Sequence, residues 1–92
     1  MYREIDLERY LVKRVREKDG ECLKLVLLNL VGFPDRTILM PTGRIAFVEV
    51  KRDRKQRLSA AQLRWKDRLQ HLGFRFFELR EFNDVETILA HL

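Results

Sequence analysis

The stretch Asp35–Lys51, DRTILMPTGRIAFVEVK, decides the fold of this 92-residue chain. Two runs rich in apolar residues flank Pro41-Thr42-Gly43-Arg44, a turn signal with proline at the first corner and glycine after it. Asp35–Met40 and Ile45–Lys51 therefore read as the two strands of a hairpin. On the second strand the period of two places Ile45, Phe47, Glu49 and Lys51 on one face and Val50 on the other. Asp35 opens the first strand, so residues near 35 stand opposite 49 or 51, roughly 5 Å apart in a regular register. Two carboxylates and an ammonium thus converge at one end of a sheet.

Working outward, residues 4–18 read as a helix with Ile5, Leu11, Val12 and Val15 on its apolar face and Gly20 as its stop. Glu21–Leu28 reads as a strand, and Leu23–Val31 as a buried strand with its exit. After the hairpin comes Arg52-Asp53-Arg54-Lys55-Gln56-Arg57, too charged for a core and expected as an exposed loop. Ser59 and Gln62 form a capping box that opens a second helix carrying Leu63, Trp65, Leu69 and Leu72, with Gly73 at its end. Arg75–Arg80 reads as a fourth strand. Asn83–Glu86 reads as another capping box, opening a last helix with Val85, Ile88, Leu89 and Leu92 on one stripe. The order is αβββαβα, an α/β fold with a mixed sheet flanked by helices, and residues 1–92 read as one domain.

Composition narrows the function classes. Nineteen Lys and Arg against fourteen Asp and Glu give +5, which favours a polyanionic partner. No segment approaches the roughly 18 uninterrupted apolar residues that span a membrane. The stretch Met1–Asp6 lacks the order of an export signal, so a cytoplasmic location is expected. A lone Cys22 and the separated His71 and His91 supply no zinc site, and Cys22 reads as a small core residue.

The convergent trio suits phosphodiester hydrolysis. Such a reaction needs a divalent cation, and Mg²⁺ or Mn²⁺ takes a few carboxylate oxygens plus water. Asp35 and Glu49 would supply those oxygens, the Val50 carbonyl a third donor, and Lys51 would orient or deprotonate the water. The bland alternative is a solvent-facing Glu49–Lys51 ion pair. On the first helix, Glu8 lies beside the apolar stripe, with Glu4 one turn before it. A carboxylate facing the core is costly unless paired or bound to metal, so Glu8 is a candidate ligand, directly or through water, and Glu4 its competitor. Alternatively both pair with arginines at the edge of the stripe.

The pattern Pro34-Asp35 with Glu49-Val50-Lys51 resembles a PD-(D/E)xK nuclease site. With Gly20 before Cys22-Leu23-Lys24, Gly32-Phe33-Pro34-Asp35-Arg36, Gly43-Arg44, Leu58-Ser59-Ala60-Ala61-Gln62 and Leu72-Gly73-Phe74, the chain resembles the virus-type replication-repair nuclease (VRR-NUC) domains of that superfamily over nearly its whole length. Phe33 departs from the smaller aliphatic residue usual before Pro-Asp. The resemblance implies a restriction-endonuclease-like core, with Asp35 and Glu49 as metal ligands, Lys51 as catalytic lysine, Glu8 as the helix carboxylate and Gln62 supporting the centre. It further implies a stand-alone phage or bacterial enzyme, a homodimer, cutting branched DNA such as Holliday junctions, with Leu27–Val31 as a candidate interface. Lys24, Arg36, Arg52, Arg54, Lys55, Arg57, Arg64 and Arg68 are the expected phosphate contacts, giving shape selectivity with little sequence preference. The rival reading is a DNA-binding module of the same fold that does not cut. Sequence-specific restriction is disfavoured, since 92 residues leave no room for a target-recognition domain.

Overall fold

Thr42 and Gly43 adopt left-handed φ angles of 69° and 78°, which reverse the chain within Pro41–Gly43 and close the expected hairpin. A computed structural model describes residues 3–92; Met1 and Tyr2, the start of the stretch read for an export signal, lie outside the described residues. The elements are α1 (Glu4–Glu17), β1 (Glu21–Leu23), β2 (Arg36–Met40), β3 (Arg44–Val50), α2 (Ala60–His71), β4 (Arg75–Leu79) and α3 (Phe82–Ala90). The sheet runs β1-β2-β3-β4, antiparallel except for the parallel pair β3 and β4 that α2 bridges. This is the mixed αβββαβα arrangement that the order of elements implies.

The two faces of β3 separate two kinds of packing. Ala46, Val48 and Val50 join Ile38 and Leu79 beneath α1 and α3, against Leu7, Leu11, Val15, Val85 and Ile88. On the other face Phe47 meets Phe33 and Phe74 edge-on, and Phe33 in turn meets Trp65 of α2. Such edge-to-face pairs add about 0.5–1.5 kcal/mol each beyond the area they bury. Phe33, the departure from family pattern, is therefore the wedge that joins the loop before Asp35 to both the sheet and α2.

Four expectations are corrected. First, β1 stops at Leu23 rather than Leu28, because its partner β2 has run out: Leu23 pairs with Thr37, and Pro34-Asp35 lie just beyond. Residues 25–31 are a loop, with Val26, Leu28 and Val31 78–86% exposed, so this run is not core. Second, α1 buries Leu7, while Ile5, expected on the apolar face, is 36% exposed. Two residues turn a helix by roughly 200°, so both cannot face the core, and Leu7 is in phase with Leu11 and Val15. Third, α2 buries Leu69 but leaves Leu63 and Leu72 about half exposed and Trp65 half-buried. Fourth, the α3 capping box joins Glu81 to Asp84, two residues earlier than expected. The Ser59–Gln62 box on α2 forms as expected. Among the described residues, no helix is long and apolar enough to cross a membrane.

Candidate active site

The site begins where β2 ends. The Lys51 N–H points to β4, donating to the Leu79 carbonyl, so the Val50 N–H points the opposite way, towards β2. β2 supplies no backbone there, since its last pair is Arg36 with Val48. The Asp35 carboxylate takes the vacant place and accepts the Val50 N–H at 2.8 Å. A strand residue's N–H and C=O share a direction, so the Val50 carbonyl faces the same end of the sheet. Leaving such an N–H unpaired would cost about 1–3 kcal/mol; Asp35 is thereby fixed by the architecture of the hairpin.

Glu49 lies against it, only 2% exposed. Burial first, then the charge of Asp35 and a hydrogen bond to it, push the Glu49 carboxyl up to about 8, with the Lys51 charge pulling the other way. The Lys51 Nζ is 3.8 Å from Glu49 Oε2, and Lys51 is itself 8% exposed. The pair is buried, which excludes the solvent-facing ion pair. From α2 the Gln62 side-chain amide donates to Glu49 Oε2 at 2.7 Å while its carbonyl oxygen accepts the Ser59 N–H at 2.8 Å. One glutamine thus closes the capping box and orients the buried glutamate.

Asp35, Glu49, Lys51 and Gln62 therefore meet at one point. Two adjacent carboxyls, one of them pushed up chiefly by burial and then by the charge of its neighbour, form a donor set that a divalent cation would neutralise. Among the described residues no cluster of three or more His, Cys, Asp or Glu is arranged to hold a metal. Protein donors to such an ion would be these two carboxyls and the Val50 carbonyl, with water completing its shell.

The VRR-NUC domain family matches residues 5–81 of the chain. The chain belongs to this family. It is 36% identical to the protein named "Putative nuclease p44" of Acyrthosiphon pisum secondary endosymbiont phage 1, over 97% of this chain and 94% of that one. A solved VRR-NUC domain superposes with a TM-score of 0.90 at 31% identity, covering 96% of this chain and 95% of that one. The chain is thus a nuclease of the VRR-NUC type.

Within this VRR-NUC fold, Glu8 rather than Glu4 is the buried carboxylate of α1, 7% exposed against a half-buried Glu4. Its partners are Arg36 Nε at 2.8 Å and Lys24 Nζ at 3.9 Å. It does not join Asp35 and Glu49 in one cluster; it borders them through Arg36, the neighbour of Asp35 in the chain. Arg36, expected as a phosphate contact, is instead mostly enclosed, its guanidinium spent on Glu8 and the Cys22 carbonyl. Lys24 follows β1 and is exposed, not mid-strand.

The basic loop 52–57 is more ordered than its charge suggests. The Asp53 carboxylate accepts the N–H groups of Lys55 and Gln56 at 2.9 Å. Arg54 reaches Asp84 at 2.5 Å and Glu81 at 3.3 Å, so it ties the loop to the start of α3. Arg80, missed in the sequence, is 9% exposed and donates to the carbonyls of Asp53 and Gln56 while pairing with Glu78. Its only sequence signal was a charge ending an apolar strand. Arg52, Lys55, Arg57, Arg64 and Arg68 remain on the exposed surface.

Proposed function

We propose that this single VRR-NUC domain is an Mg²⁺- or Mn²⁺-dependent endonuclease that hydrolyses phosphodiester bonds in branched DNA. The observation that carries the reading is the meeting of Asp35, Glu49, Lys51 and Gln62 at the frayed end of the hairpin, with the Glu49 carboxyl pushed up to about 8 beside Asp35. Asp35, Glu49 and the Val50 carbonyl would hold the cation. When bound, the ion supplies neutralisation of the charge that builds on the phosphorus oxygens and a lowered pKa for attacking water. Glu49 would bind as the carboxylate, and Gln62 keeps its Oε2 oriented. Lys51 places a positive charge beside the reacting phosphate and orients the water. Glu8 contributes through water, from its place on Arg36.

The exposed Lys24, Arg52, Lys55, Arg57, Arg64 and Arg68 hold phosphates without reading bases, which supports structure selectivity over sequence preference. The exposed loop 25–31, with Val26, Leu28 and Val31 in solvent, supports a homodimer that presents two sites to one junction. An enzyme of this kind works in the cytoplasm of a bacterium or phage-infected cell.

The test is incubation of purified protein with a labelled four-way junction, a flap and linear duplex, each with EDTA, Mg²⁺ or Mn²⁺. Cleavage of the branched substrates with metal is expected. Tight binding without cleavage of any substrate in either metal would leave the chain a DNA-binding module and refute the enzymatic reading.

A further inference from the structure

Trp65 belongs to neither the core nor the site just described. It is half-buried, one edge held by Phe33 at 5.0 Å between ring centroids. With Arg64 and Arg68 it lines an open cavity of about 220 Å³ on α2. Arg14, Arg36, Arg54 and Arg80 each spend their guanidinium on a carboxylate. The side chains of Arg64 and Arg68 have no such partner among the described residues. Two uncommitted guanidiniums beside an indole are chemically matched to a ligand with negative charges and a flat, uncharged ring.

We propose that this cavity is a nucleotide subsite: an unpaired base of a DNA strand stacks on Trp65 while the phosphates on either side of it rest on Arg64 and Arg68. The inference rests on the chain acting on DNA, and it specifies which DNA. Arg64 and Arg68 are separated by about 6 Å along the helix axis. A base stacked in a duplex has both faces covered by its neighbours, so only a base that has left the stack can offer a face to Trp65. The position is also adjacent to the chemistry. Gln62, which holds Glu49, precedes Trp65 by three residues, about 4.5 Å along α2. Phe33, which holds Trp65, precedes Asp35 by two. A base lodged there keeps the neighbouring phosphate near the carboxyls. An acidic peptide would use the two arginines but leave the indole face idle. The subsite thus favours a flap, splayed arm or opened junction over fully paired duplex.

Trp65 is the chain's sole tryptophan, so its emission reports the cavity directly. The protein is titrated in EDTA, where no hydrolysis occurs, with a blunt hairpin, the same hairpin carrying a six-nucleotide thymidine overhang, thymidine monophosphate, and polyglutamate at matched ionic strength. The overhang hairpin should quench Trp65 at concentrations where the other three do not. Arg64→Ala with Arg68→Ala, both exposed, should weaken overhang binding and lower the slope of log K against log salt by about 1.4, at about 0.7 per phosphate. Trp65→Leu, read by anisotropy of labelled DNA, keeps an apolar contact for Phe33 and should weaken the overhang complex about 5- to 150-fold, the loss of one stacked base. Equal quenching by the blunt hairpin or by polyglutamate overturns the proposal. So does saturation by the free mononucleotide at the overhang's concentration, or an unchanged affinity in the arginine double variant. Metal-dependent cleavage without quenching would overturn this subsite alone; quenching without cleavage would overturn the enzymatic reading alone.

Discussion

Replacing Glu49 by glutamine separates the two things this buried carboxyl does. Glutamine keeps its shape, its oxygen can accept the Gln62 amide that Glu49 Oε2 accepts at 2.7 Å, and its N–H can face Asp35. It therefore imitates the protonated form. The native carboxyl is pushed from 4.5 up to about 8, chiefly by burial and then by Asp35. A raised pKa means that the folded protein holds a proton the unfolded chain has released. The stability this contributes is fully present below pH 4.5 and is lost as pH rises through 8. From pH 6 the loss runs at nearly 1.4 kcal/mol per pH unit and slows to half that rate at pH 8, about 2 kcal/mol over the interval. Urea denaturation in EDTA should accordingly find wild type and Glu49→Gln similar at pH 5, with the variant gaining about 2 kcal/mol on wild type between pH 6 and pH 8. Adding Mg²⁺ at pH 8 should recover the difference for wild type only, because only wild type has the second carboxylate for the ion. A gap that stays constant with pH would refute the argument that Glu49 is held protonated by its surroundings.

Lys51→Ala should abolish cutting while leaving junction binding nearly intact; persistent cutting would move the catalytic lysine elsewhere. Arg36→Ala strands the buried Glu8 carboxylate, a loss of about 3 kcal/mol by analogy with broken buried ion pairs, and thermal or urea unfolding reads it. Gly32 has φ +85°, and a Cβ there would lie 2.6–2.8 Å from Ala61 and the Gln62 nitrogen. Gly32→Ala should therefore cost about 2 kcal/mol or more through strain and overpacking, and cleavage should fall with it as the first turn of α2 is pushed from Glu49. Val26→Glu with Leu28→Glu changes residues already in solvent, so the fold should persist while light scattering shows a monomer; an unchanged dimer would place the interface elsewhere.

The order of elements was legible from local signals because each rests on neighbours in the chain. Period-two alternation set the β3 faces, Pro41-Thr42-Gly43 set the hairpin, and Ser59 with Gln62 set the start of α2. The same hairpin register brings Asp35 towards Glu49. Leu25–Leu28 reads as strand but is loop, because an apolar run has the same composition whether or not a strand lies beside it. Only the early end of β2 left it without a partner. Helix phase was similarly ambiguous where Ile5 and Leu7 competed, and packing against the sheet chose Leu7.

The sequence by itself determined which groups could do the chemistry, since carboxylate, ammonium and amide are fixed by residue type and their local spacing by backbone period. Only the tertiary structure decided their state. That Glu49 retains a proton, that Glu8 spends its charge on Arg36, and that Arg54 and Arg80 brace a loop all depend on burial and on partners tens of residues away. Coulomb and desolvation energies depend on distance and solvent access in space, and neither is a function of position along the chain.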